Sequence, residues 1–449
     1  MNVSEENWFG SPELPAESRL AVPELTEHLA RTLDDLDYPA NTTSMNPVVL
    51  PQARYTELFD ATRQLLRLLR RALLDSAPDF HGRLRELGAV EANYPLWVRG
   101  PLEEAYATCM TRPDVAVGAT GPKFLEFNIG SGIGGVVETS VHSAVWKAAY
   151  GGADVAPFGA APDPLAVRDQ LFVRAARDLG LPPAVAIVGA LREFNAVRTT
   201  RYFDIQVQSL RSRGLQAEYF EPERLLEGLG LAGGGNGLRY RLGLRHFNIY
   251  DWTRLGIDLS PMRTALDAEC FLIASQTAYL VANKKVLGWV SEGRPWMTAE
   301  DRALVERYLP WTRTVSDRPV SRHGTVRPLP ELLLAEREDF VLKPAIGLGS
   351  HGVVLGRHTD DATWRATLDT ALSTGQYIAQ EYVEPVPYRM ELREAGGEST
   401  YETEVFPVLS PFLFDGEPGG CLVRYLPPGR EGVTTIQGNG ALPSVALPV

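Results

Sequence analysis

Arg112–Gly130 reads RPDVAVGATGPKFLEFNIG and sets two carboxylates, an amide and a guanidinium at spacings that a single hairpin can gather. Gly118, Gly121 and Pro122 supply turn chemistry between Asp114–Val117 and Lys123–Ile129, which read as strands. Alternation along the second strand puts Phe124, Glu126 and Asn128 on one face and Leu125, Phe127 and Ile129 on the other. A turn centred on Thr120 then sets Asp114 opposite Glu126 and Arg112 opposite Asn128. Like charges facing each other across an antiparallel pair cost a few tenths to about 1 kcal/mol. A divalent cation between them reverses that sign, and carboxylates plus an amide oxygen are hard ligands that suit Mg²⁺. Asp114, Glu126 and Asn128 are therefore candidate metal ligands, with Arg112 as a fixed positive charge beside them. The competing reading is an exposed hairpin whose acids face water, and a one-residue slip of register removes the site.

A second chemical segment, Phe340–Gly356, reads FVLKPAIGLGSHGVVLG. Gly347, Gly349 and Gly352 satisfy GxGxxG, a weak signal alone. A dinucleotide fingerprint opens a helix after its glycines, whereas Val353, Val354 and Leu355 read as a returning strand. A protein-kinase glycine loop is also a hairpin, but the chain has no HRD or DFG. No GxxxxGK[ST] is present, and Leu348 stands where a GxSxG elbow needs glycine. What remains is a strand carrying Lys343 into a Gly/Ser-rich turn. Its backbone N–H groups and Ser350 can close on phosphate oxygens, with Lys343 as a point charge. A purely structural hairpin is the alternative.

Lysine occurs only at 123, 147, 284, 285 and 343, although Lys and Arg together number 44. In so arginine-rich a chain, a retained lysine is a candidate for work that needs a compact ammonium rather than a planar fork. Asn283-Lys284-Lys285 opens an apolar helix, where cations oppose the helix dipole and a nearby anion would favour them. Gln380-Glu381-Tyr382-Val383 follows an apolar strand and can offer backbone groups to a purine, although taken alone an ordinary core strand fits it better. Tyr388, Arg389 and Arg424 are further polar candidates.

These segments need elements to carry them. Tyr55–Leu87 reads as an amphipathic helix or helix pair with Leu58, Leu65, Leu66, Leu69 and Leu73 on one face. Its Arg63, Arg67, Arg70 and Arg71 fit a solvated face better than an anion site. A short helix is expected near Pro23–Leu36. Ala166–Leu179 and the arginine-rich run ending at Leu210 suit helices, and Ala184–Val188, Gln216–Phe220 and His246–Tyr250 suit strands, an alternation of Rossmann-like type. Leu231–Leu238 is expected as a glycine-rich loop, and Thr363–Ser373 as a helix. The fold class is α/β (α+β). Three units are expected: a helical region over 1–105, the hairpin with a Rossmann-like unit over 106–280, and a nucleotide-binding unit over 281–449. A net charge of −12 argues against nucleic acid as a partner. Three separated cysteines suggest neither disulfides nor zinc. With no signal-like N-terminus and no apolar run of about 18 residues, a cytoplasmic protein without a membrane partner is expected.

Together these residues resemble the glutathionylspermidine synthetase-like branch of the ATP-grasp enzymes, in which the metal-ligand strand precedes the nucleotide lobe. The resemblance spans roughly 112–449. It rests on R-x-D (Arg112, Asp114), E-x-N (Glu126, Asn128), an N-K helix start (Asn283, Lys284), K-P-x-x-G (Lys343, Pro344, Gly347) and a Q-x-Y hinge (Gln380, Tyr382). It implies an ATP-grasp domain with a preceding Rossmann-like unit, and ATP and Mg²⁺ as cofactors. It further implies a carboxylate–amine ligase working through an acyl-phosphate, with Arg112 stabilising the tetrahedral oxyanion. Nucleotide would lie against Lys284, Lys343, Gly347, Gly349, Ser350, Gly352 and the hinge residues Gln380, Glu381, Tyr382 and Val383. There is no amidase half, and GSGIGGVVETS from Gly130 replaces the family's acidic E-x-N-A-D-T-P loop. The small-molecule or peptide substrates therefore do not follow, nor does the oligomeric state, for which a homodimer is one candidate. A small-molecule kinase on the same fold and a non-catalytic nucleotide-binding protein remain as alternatives.

Overall fold

The computed structural model describes residues 7–10, 14, 19–34, 44–152, 156–159, 161–194, 200–231, 238–347, 349–394 and 399–449. Helices and several separate sheets mix along the chain, an α+β arrangement. The largest sheet has six strands in the order Val48–Leu50, Leu442–Pro448, Glu417–Tyr425, Val408–Phe414, Met110–Gly118, Gly121–Ile129. The carboxylate hairpin thus forms one edge of a sheet built otherwise from the two ends of the chain. Val48 lies beside Ala446 in a parallel pair, and Val115 lies opposite Leu409. This sheet crosses both expected unit boundaries, near 105 and near 280. The hairpin groups with the C-terminal strands rather than with the Rossmann-like unit, because backbone pairing can join segments of any sequence separation.

That unit is a four-stranded parallel sheet in the order Gln216–Phe220, Ala184–Val188, Leu242–Arg245, Phe271–Ile273. The strand expected at His246–Tyr250 is instead Leu242–Arg245. Asn248 accepts a hydrogen bond from the Tyr250 N–H at 2.9 Å and caps a helix, Ile249–Arg254, so the chain turns where alternation suggested extension. Positions 232–237 of the expected glycine-rich loop lie outside the described residues.

A third sheet orders Val354–Leu355, Phe340–Pro344, Tyr377–Glu381 and Thr312–Thr314, all antiparallel. The helix Lys284–Glu292 packs beside it. The expected N-terminal helix pair is Gln52–Leu74 and Phe80–Leu87, the second capped by Asp79 at its start and by left-handed Gly88 at its end. Leu58, Leu65, Leu66, Leu69 and Leu73 are buried as their spacing implies. The long helix packs on the six-stranded sheet and on Lys284–Glu292 in an apolar core that also takes in Val185 and Ile187 of the parallel sheet, whereas Phe340, Leu342 and Ala379 of the third sheet belong to a core of their own. Its arginines bind neighbours: Arg63 pairs with Asp60, Arg67 with Asp301 and Arg71 with Asp75. Among the described residues no helix is long and apolar enough to cross a membrane.

Candidate functional site

The hairpin brings the expected residues together by a route the sequence did not suggest. Arg112 lies opposite Asn128 and Asp114 opposite Glu126, but near the turn Gly118 pairs with Gly121. The turn is therefore the two residues Ala119 and Thr120, and a bulge at Leu125 restores the register at the acids. The extra residue also overturns the expected facing of Phe124. Phe124 is fully buried and stacks on Phe127 at 5.7 Å between ring centres, away from Glu126.

The second wall comes from the strand Phe340–Pro344. The Lys343 ammonium donates to the Gln380 Oε1 at 2.7 Å and to the carbonyl of bulged Leu125 at 3.3 Å. Segments 218 residues apart in sequence are thereby joined. Lys284, at the start of its helix, reaches the Glu126 Oε2 at 3.3 Å. Asp114 is buried, 2.6 Å from an Arg424 nitrogen and 3.8 Å from Arg112, and it accepts from Ser410 at 3.0 Å. Arg112 itself donates to the Gly134 carbonyl at 2.7 Å. The cleft between these walls has a volume of about 1630 Å³.

Charged groups of both signs line the cleft. Arg112, Arg424, Lys284 and Lys343 stand among Asp114, Glu126 and Glu138. Burial pushes the Asp114 carboxyl upward, yet the Arg424 and Arg112 guanidiniums overcome this and hold it well below the usual carboxylate range. Burial pushes the Lys343 ammonium down to about 8, with Glu126 opposing and Lys284 adding to the shift.

Of the sequence-derived site residues, Arg112, Asp114, Glu126, Asn128, Lys284, Lys343, Gly347, Gly349, Ser350, Gln380, Glu381, Tyr382 and Val383 all border this cleft. Gly352 does not. Its φ of +73° and the 2.8 Å that would separate an added Cβ from Pro344 make it a requirement of the hairpin itself. The expected hinge is partly spent: the N–H of Glu381 donates to Trp311 and that of Tyr382 to Asp339. Glu381 also pairs with Arg322 at 2.7 Å, and the Gln380 side chain faces Lys343. This leaves Val383 as the backbone donor of that segment. Among the other polar candidates, the Tyr388 hydroxyl accepts from the Val49 N–H in the core and Arg389 is exposed, so only Arg424 reaches the cleft.

The sequence did not point to Ser410, and the loop from Gly130, noted as a departure from the family pattern, had no role assigned to it. An added Cβ at Gly132 would lie 2.6 Å from the Phe247 carbonyl oxygen, so that loop needs glycine to press against the Rossmann-like unit. The glycines were the available signal, but only packing shows what they touch. The lysine bias was informative in a broader way than expected. Lys123 donates to the carbonyls of Glu306 and Arg307, Lys147 to that of Ala161, and Lys285 to that of Leu87. Compact ammoniums here mostly finish backbone carbonyls, two of them at helix ends.

Adjacent Lys284 and Lys285 thus have opposite assignments, which two variants separate. Lys285→Met is expected to lower Tm by about 1 °C, for a loss of about 1 kcal/mol, without changing binding of a polyanion in the cleft. Lys284→Met is expected to weaken that binding with little change in Tm. Thermal melts with and without triphosphate check both.

Among the described residues no group of three or more His, Cys, Asp or Glu could hold a metal ion by itself. The donor set Asp114, Glu126 and Asn128 is nevertheless hard oxygen. The Asn128 amide nitrogen donates to the Arg112 carbonyl, so the atom it could offer a cation is Oδ1. Two carboxylates already facing cations fit a Mg²⁺ ion that arrives with phosphate oxygens to complete its shell.

No protein-family model and no curated protein matches this sequence. Among solved structures, a glutathione synthetase-like effector from Globodera pallida, in its apo form, superposes with a TM-score of 0.58 at 13% identity, over 98% of this chain and 100% of that one. A candidate gamma-glutamylcysteine synthetase from Methylobacillus flagellatus KT aligns at 16% identity over 86% of this chain and 88% of that one, but its TM-score of 0.41 is too low to carry an argument. The chain therefore shares its fold, along its whole length, with a glutathione synthetase-like protein.

Proposed function

We propose that the chain is an ATP-dependent ligase of the ATP-grasp kind that joins a carboxylate to an amine through an acyl-phosphate, releasing ADP and phosphate. The observation that carries this reading is the contact of Lys343 and Lys284 with the hairpin that bears Asp114 and Glu126. A strand-borne lysine and a glycine turn on one side, and paired acids on the other, make a cradle for a triphosphate with its cation. The fold shared with a glutathione synthetase-like protein agrees with ligase chemistry.

Lys343, Lys284 and the N–H groups around Gly347, Gly349 and Ser350 hold the phosphates, and Val383 offers its N–H to the purine. Asp114, Glu126 and Asn128 are the residues that would hold Mg²⁺, and a bound ion would supply positive charge against the transferring phosphoryl group. A carboxylate oxygen of the substrate attacks the γ-phosphorus and ADP leaves. The amine nitrogen then attacks the acyl carbon, loses a proton, and phosphate leaves. Arg112, fixed by the Gly134 carbonyl, neutralises the oxyanion of that second step. The glycine turn covers the acyl-phosphate against water.

The test is a screen of carboxylate and amine pairs for ADP release, followed by product mass. An amide that needs both substrates supports the ligase. A phosphorylated single substrate points instead to a kinase, and no ADP release with any pair to a non-catalytic binder. Calorimetry adds a metal prediction. Because Arg424 and Lys284 already face the acids, Mg²⁺ alone is expected to bind weakly, and to bind well only with a triphosphate present. Tight binding of free Mg²⁺ would contradict the assigned ligand set.

A further inference from the structure

Gln380 has no exposure to speak of, at 1%, yet it is an amide in the middle of a strand whose neighbours Ile378 and Ala379 are fully buried. A position of that kind ordinarily takes an apolar side chain. Its amide is almost fully used. The Oε1 accepts from Lys343 at 2.7 Å, and the Nε2 donates to the Leu125 carbonyl and to the Thr312 Oγ1, each at 3.1 Å. An ammonium can only donate, so the amide atom facing Lys343 is its oxygen, and the nitrogen must face the Leu125 carbonyl. The orientation is fixed by chemistry.

Leu125 is the bulged residue of the hairpin, the one left without a ladder partner. Its carbonyl receives two donors, Lys343 and Gln380, both from the facing sheet. The three groups form a closed triangle across the cleft wall. Lys343 is thereby positioned by two neutral acceptors. Lys284, by contrast, faces the Glu126 carboxylate. Neutral acceptors fix a cation in place without cancelling its charge, so its field stays available to an anion.

We propose that Gln380 is a positioning residue that acts through Lys343. It ties the lysine to the bulge of the carboxylate hairpin, holding the ammonium still for a phosphate group with only neutral atoms as its hydrogen-bond partners. The proposal rests on the nucleotide reading for its function, but the tie itself does not.

Two readouts separate these parts. The first is acetylation of the folded full-length chain by a limiting amine-reactive ester, with the five lysines quantified by peptide mass spectrometry. In Gln380→Met, Lys343 is expected to label several-fold faster than in wild type while the other four keep their rates. An unchanged Lys343 rate overturns the tie. Should all five rise together, the variant has loosened globally and Gln380→Glu decides. That variant preserves shape and the contact to Lys343 but gives up the two Nε2 donations and places a negative charge on the lysine, so Lys343 is expected to stay protected by its carboxylate and the Leu125 carbonyl while the KM for ATP rises about 10- to 100-fold. A Gln380→Glu enzyme with wild-type KM overturns the proposal. A wild type that neither binds nor hydrolyses ATP overturns the nucleotide reading, with the labelling result still deciding the tie.

Discussion

Lys343→Met is expected to weaken ATP binding by about 10- to 100-fold, the loss of one charge-assisted hydrogen bond at roughly 1.5–3 kcal/mol. Its pH dependence makes the assignment sharper than the size of the effect. With the ammonium pushed down to about 8 by burial, the wild type begins to lose that charge in mildly alkaline solution. ATP affinity is therefore expected to fall as pH rises above about 8, and binding there should take up a proton. The Met variant, already uncharged, should show neither effect. Stability moves the other way. The folded-state value lies below the roughly 10.4 of an unfolded lysine, so between the two the unfolded chain binds more protons and unfolding becomes less favourable as pH rises. Wild type should gain stability relative to Lys343→Met between about pH 8 and pH 10, while losing ATP affinity over the start of the same range. Calorimetric titration and thermal melts at matched pH values check both signs. If wild-type affinity and stability rise and fall together, the lysine is not the phosphate ligand.

Arg112→Ala is expected to lower turnover by about 10²–10³, the usual loss for one oxyanion-stabilising group, with ATP affinity nearly intact. Arg112 belongs to the hairpin wall, where it holds the Gly134 carbonyl and faces Asp114. It touches none of the residues assigned to the phosphates. Asp114 keeps Arg424 and Ser410 in the variant, so the metal side of the site should survive. Arg112→Lys supplies the control. It keeps the charge but loses the fork that reaches Gly134 and Asp114 together, and should recover part of the rate. Steady-state kinetics alongside direct ATP binding decide the matter, since equal losses of affinity and turnover would contradict the role.

The residues of the site were legible because local rules select them. Period-two alternation and turn chemistry identify the hairpin, and the glycines after Lys343 identify the other. Even so, the facing of Asp114 and Glu126 came out as expected only because two departures cancelled, a shorter turn and a bulge at Leu125. Neither leaves a trace in the sequence: Leu125 is an ordinary strand residue, and its freed carbonyl has meaning only once Lys343 and Gln380 approach it. Lys284 and Lys285 are equivalent as letters, and the path of one helix start sends the first to Glu126 and the second to Leu87. Arg424 could not be distinguished in so arginine-rich a chain until its strand lay beside the one carrying Ser410.

Local pattern was enough to specify most of the short elements and the chemical groups they carry, since backbone preference and side-chain period act over a few residues; His246–Tyr250, where a helix cap replaced the expected strand, is an exception. Tertiary structure alone decided which elements meet. Val48 pairs with Ala446, the Met110–Gly118 strand with Val408–Phe414, and a lysine with a carbonyl 218 positions away. Those choices depend on burying apolar faces and satisfying polar groups across the whole chain at once, and no local window holds that information.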